Sequence, residues 1–165
     1  MSRTRLAPLT LIATVLAAAL LLPAAARADD RSFATTAIDQ AGRLARYESA
    51  TGTALTRVDR RGRAAIPAAR RAVQATRNQI DKALRPLRGE STSTADGARI
   101  KRRFVALLVA EKKTYGTVDR SLAAFQRGEV STGNELQRRA KASIAKIRKQ
   151  AMRLAPALRR LVEGA

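Results

Sequence analysis

The chain has no cysteine, no histidine and no tryptophan. Without cysteine there can be no disulfide framework, no thiolate nucleophile and no lipidated N-terminal cysteine. Without histidine, the commonest metal ligand and the commonest general base at neutral pH are missing. Ser-His-Asp and Cys-His catalysis are excluded, as are the Glu-x-x-His di-metal bundles. Aromatics are scarce. Past residue 28 they are Phe33, Tyr47, Phe104, Tyr115 and Phe125, too few for a base-stacking platform or a stacked sugar site. No zinc-finger, basic-zipper or RNA-recognition spacing is present. No catalytic, cofactor-binding or metal-binding residue is nominated, and the chain is read as non-enzymatic.

Acidic residues are also few. The 165 residues carry 33 Lys and Arg against 13 Asp and Glu, a net charge of +20. Arginine dominates, with 26 of the 33. Because Arg and Ala both have GC-rich codons, base composition is one source of this excess and ligand binding the other.

The first 28 residues read as a secretory signal peptide. Arg3 and Arg5 form a basic start, and Leu9 to Leu22 is an uncharged run. Pro23 breaks that run, and Ala26-Arg27-Ala28 places small residues where a signal peptidase reads them. Cleavage is expected between Ala28 and Asp29, giving a secreted or otherwise extracytoplasmic domain over 29–165. The alternative is an uncleaved anchor, although the run is short of the about 20 residues a spanning helix needs.

Within 29–165, Ile, Leu, Val, Phe and Met are 28 of 137 residues. High charge with so few large apolar residues borders on disorder. Periodicity argues for folding, because the apolar residues fall on helical faces. Leu136, Ala140, Ile144, Ile147, Ala151, Leu154, Leu158 and Leu161 form one such stripe at spacings of three and four. Earlier stripes run Phe33, Ala37, Ala41, Leu44, then Ala54 or Leu55, and Val58, followed by Ile66, Ala69, Val73, Thr76, Ile80, Leu84, Leu87. Another runs Ile100, Phe104, Leu107, Glu111, Tyr115, Val118, Leu122, Phe125, widened by Leu108 and Val109. The expected fold is all-α, an antiparallel up-down bundle of about four amphipathic helices.

Local signals suggest the helix ends. Thr35 or Thr36 is a candidate first cap, Gly52 a weak point and Gly62 a stop. Pro67 suits a helix start, and Pro86 should end that helix near Arg85. Residues 89–97 read as a loop, with Asp96 capping a helix over about 98–127. Gly128 ends it, and Thr132-Gly133-Asn134-Glu135 reads as a capping box for the last helix. Pro156 should kink that helix.

Two groups of residues carry the functional expectations. The first is the basic surface, whose charge is graded from +1 over 29–62 to +7 over 131–165. Besides Arg57, Arg60, Arg61 and Arg63, the candidate anion-binding residues are Arg99, Lys101, Arg102, Arg103, Arg138, Arg139, Lys141, Lys146, Arg148 and Lys149. Such a surface attracts polyanions with salt-dependent affinity. The second is Tyr47, Glu48, Glu111 and Tyr115. Glu111 lies on an apolar stripe, where a carboxylate is costly unless paired. The expected solution is a seam-edge position with an Arg or Lys partner. The alternative is an inter-helix polar pocket around Glu111 and Tyr115.

The resulting expectation is an exported helical protein that meets an anionic envelope polymer or membrane surface, with no specific nucleic-acid partner. The rivals are a helical interaction or homo-oligomerisation module, and a small helical enzyme or ligand-binding bundle with an Arg/Glu pocket.

Overall fold

The computed structural model describes residues 28–163, all within helices or their short connections. The expected leader lies outside the described residues, apart from Ala28. Helix α1 spans Ala28–Arg61, a 3-10 turn spans Gly62–Ala65, and α2 spans Ile66–Gly89. These form one helical segment bent back on itself. Helices α3 (Ala95–Arg127) and α4 (Val130–Glu163) follow. Successive helices pack antiparallel, and α4 returns against α1. Among the described residues, no helix is long and apolar enough to cross a membrane.

The sharp reversals sit at glycines in the left-handed region, Gly62 at φ 63° and Gly128 at φ 89°, where a Cβ is strained. Gly128 also donates its N–H to Phe125 O at 3.1 Å, closing the end of α3. Pro67 stands in the first turn of α2, as expected.

The stripes become the core. All seven α2 stripe residues are buried. In α3, Ile100 through Leu122 are buried and Phe125 is half-buried, but Val109 faces solvent. Phe33 of α1 and Phe104 of α3 meet edge to face, with ring centroids 6.4 Å apart and planes at 78°. The α4 stripe is rotated from its expected centre. Leu136, Ile144 and Leu161 are only half-buried, while Gln137 is buried.

Several helix ends differ from the sequence expectation because tertiary contacts set them. Helix α1 is already regular at Ala28, so Thr35 and Thr36 lie inside it; Thr36 Oγ1 instead donates to Glu90 Oε1 at 2.9 Å. Buried Gly52 does not split α1. Pro86 lies in the last turn of α2, which runs on to Gly89. Thr94, not Asp96, caps α3: its hydroxyl accepts from Gly97 N at 2.9 Å. Buried Asp30 of α1 fixes that cap by accepting from Ser93 N at 2.8 Å and from Thr94 Oγ1. A side chain at Gly97 would overlap the Asp30 carboxylate.

Thr132 is likewise not a cap, because α4 starts at Val130. Gly133 packs within the helix under Phe125, whose ring lies 2.6 Å from where a Cβ would stand. Helix α4 continues through Pro156 to Glu163.

Candidate functional site

The ten candidate anion-binding residues lie on α3 and α4, and all are exposed except half-buried Lys101. The α3–α4 register is set by Ser121 Oγ donating to Gly133 O at 2.8 Å and by Leu107 packing with Ile147. Antiparallel pairing then places Arg138–Lys141 beside the second half of α3 and Lys146–Lys149 beside its middle. Arg99–Arg103 stand farther along, near the start of α3. The residues therefore form a band along two helices rather than one focused patch.

Not all of these charges are available. Arg99 pairs with Asp96 at 2.9 Å, and Arg139 pairs with Glu135 one turn away. Lys101 donates to Arg88 O at 3.1 Å and to Glu90 O, capping the C-terminal end of α2. Lys141 is also engaged. Arg102, Arg103, Arg138, Lys146, Arg148 and Lys149 make no ion pair among the described residues and project into solvent. The Arg57–Arg63 cluster lies at the α1–α2 bend, where Arg63 reaches the Gly128 turn.

A second basic feature was not singled out in the sequence. Between α2 and α3 lies an open groove of about 490 Å³, lined by Arg77, Val109, Lys112, Lys113, Gly116, Asp119 and Arg120. Ion pairs flank it: Lys112 Nζ to Asp81 Oδ1 at 2.7 Å, and Arg70 Nε to Asp119 Oδ1 at 2.8 Å. Donating to Asp119, and the charge of that carboxylate, hold the Arg70 pKa above its usual value. Neither spacing nor charge runs reveal this groove, because its cations come from two helices.

The carboxylate expectation is corrected. Glu111 is 2% exposed and has no Arg or Lys partner among the described residues; it faces Glu48, which is also 2% exposed. Helices α1 and α3 touch only lightly across the bundle, so the two acids meet in its interior. Drawn as two carboxylates, both Glu111 oxygens and Glu48 Oε1 lack a donor. Burial pushes the Glu111 pKa well above 4.5, and hydrogen bonding and charge at Glu48 push it the same way. A proton on Glu111 converts the conflict into a carboxylic acid–carboxylate hydrogen bond.

Burial also raises the pKa of Tyr115, with Glu48 and Glu111 adding to it. Thr51 and Thr76 bond at 2.8 Å between α1 and α2, making further polar contact within the core. Of the four residues expected to group, Glu48, Glu111 and Tyr115 come together. Tyr47 stays 40% exposed, its carbonyl accepting from Thr76 Oγ1 at 3.2 Å. Among the described residues, no group of three or more metal-ligating side chains occurs.

No protein-family model, curated protein or solved structure matches the chain.

Proposed function

We propose that this is an exported, non-enzymatic protein whose basic helical surface binds an anionic envelope polymer or membrane surface. The observation that carries the reading is the unspent charge on α3 and α4. Six exposed cations there, Arg102, Arg103, Arg138, Lys146, Arg148 and Lys149, make no ion pair among the described residues. Like charges held along one rigid surface repel each other, and binding a polyanion relieves that repulsion while releasing the polymer's counterions. An antiparallel helical bundle, with α1 and α2 joined as one bent segment and α3 and α4 packed against it, suits this role, because its long helices present charges along a line. The leader read from residues 1–28 supplies the address.

The buried acids favour a scaffold role over catalysis. Glu48 and Glu111 face each other inside the core, each 2% exposed, so the pair presents no group to substrate.

Lys146, Arg148 and Lys149 give the cleanest test, because all three are exposed and make no ion pair among the described residues. Changing them together to Gln should weaken binding to anionic vesicles and to a phosphate-rich wall polymer at low salt. The slope of log affinity against log salt should shrink by about two. Equal affinity and equal slope for the variant and the unaltered protein would refute the reading.

A further inference from the structure

We infer that the groove between α2 and α3 is a binding site for a phosphate monoester or diester, held by Arg77, Lys113 and Arg120. This deepens the surface reading and rests on it.

Three observations carry the inference. First, positive charge converges on a concave site. Arg77, Lys112, Lys113 and Arg120 line the groove with a single acid, Asp119. That acid is engaged by Arg70, and Lys112 is engaged by Asp81. Arg77, Lys113 and Arg120 are left lining one groove without an ion pair among the described residues.

Second, their donors are unspent. A guanidinium offers five N–H bonds. Arg77 uses one, from Nη1 to Gln74 Oε1 at 3.0 Å, and its buried Nε has no acceptor. Arg120 makes one bond, to Thr117 Oγ1 at 3.2 Å. The Lys113 side chain is exposed and makes no hydrogen bond or ion pair among the described residues.

Third, the shape suits an ester rather than a bare ion. Gly116 stands opposite Arg77 with no side chain in the way; a Cβ there would lie 3.8 Å from the guanidinium. Val109 is an apolar residue on the lining and is 45% exposed. Two forked guanidinium groups match the tetrahedral oxygens of a phosphate bidentately. Val109 gives the carbon portion of the ester an apolar contact. The recognised unit is a phosphate carried on a small aliphatic alcohol, whether in a polymer backbone or a lipid headgroup.

Calorimetric titration of the full chain with glycerol 3-phosphate tests the site, with poly(glycerol phosphate) and phosphatidylglycerol vesicles as the polymer and lipid probes. The groove variant carries Arg77→Gln, Lys113→Gln and Arg120→Gln. The charge-matched control carries Lys146→Gln, Arg148→Gln and Lys149→Gln. The groove variant should bind glycerol 3-phosphate about tenfold more weakly or worse, while the control stays within about twofold. Whichever macromolecular probe loses more affinity in the groove variant identifies the source of the phosphate.

Equal weakening in both variants overturns the site, since the effect would then be charge alone. No effect in the groove variant overturns it as well. If only the control releases the polymer and the vesicles, the groove falls while the surface reading stands. Melting curves of both variants, read by circular dichroism, confirm that each is folded. A groove variant that does not melt cooperatively is replaced by Arg120→Gln with Lys113→Gln, two exposed changes, judged by the same criteria.

Discussion

Replacing Glu111 with Gln should raise stability at pH 7 by about 1–3 kcal/mol, the scale of relieving a poorly satisfied buried polar group. For a domain of this size that is about 3–10 °C in melting temperature. The cause is the pairing of Glu111 with Glu48 in the core, where neither acid has a basic partner among the described residues. A Gln amide donates to Glu48 at every pH, whereas Glu111 must hold a proton to do so.

The sign of the pH dependence follows from the direction of the shift. Folding raises the Glu111 pKa well above 4.5. Above pH 4.5 the unfolded chain has released a proton that the folded chain keeps. Stability therefore falls as pH rises from about 4.5 toward the raised folded value. Below pH 4.5 both states are protonated and this contribution is fully present. The gap between Glu111→Gln and the unaltered protein should be smallest near pH 4 and widen toward pH 7. Urea titrations at intervals across that range check it, and parallel profiles would remove the acid pair from the explanation.

The second large effect is expected at Phe104. Truncation to Ala should cost about 3–5 kcal/mol, or about 10–20 °C. Phe104 is fully buried and edge-on to Phe33, so the change opens a cavity and removes an aromatic contact between α1 and α3. Met152→Ala is the natural comparison, because Met152 is 49% exposed and should change stability by under about 0.5 kcal/mol. Thermal melts of the two variants side by side are sufficient. A loss below about 1 kcal/mol for Phe104→Ala would mean that this layer does not hold the bundle together.

The helices themselves were legible in the sequence, because burial on one face imposes a 3.6-residue period whatever the partner is. Ile66 through Leu87 shows this best, with every stripe residue buried. The ends were less legible. The α3 cap depends on Asp30, over sixty residues away, and the α4 start depends on Phe125 lying over Gly133. Caps chosen from local residues alone point to Asp96 and Thr132, which have the right chemistry but lie inside helices that begin at Ala95 and Val130.

Glu111 shows the same limit in the core. Its place on a stripe marked it as unusual, and a single helix suggested a basic partner at the edge. The partner is another acid on α1, and no local pattern encodes a contact across the bundle. The basic band on α3 and α4 was readable as composition, but not which cations are spent. Arg99, Arg139 and Lys101 are occupied by neighbours, and the α2–α3 groove emerges only when two helices are placed side by side.

Salt titration of the purified protein against anionic vesicles, a phosphate-rich wall polymer and duplex DNA tests the surface reading most directly. The expected result is that the vesicles or the wall polymer stay bound at about 0.15 M salt while DNA is released, since screening at that ionic strength removes contacts made by charge alone. Weak binding of all three, lost together as salt rises, would show that the positive charge selects no partner and would contradict the proposed function.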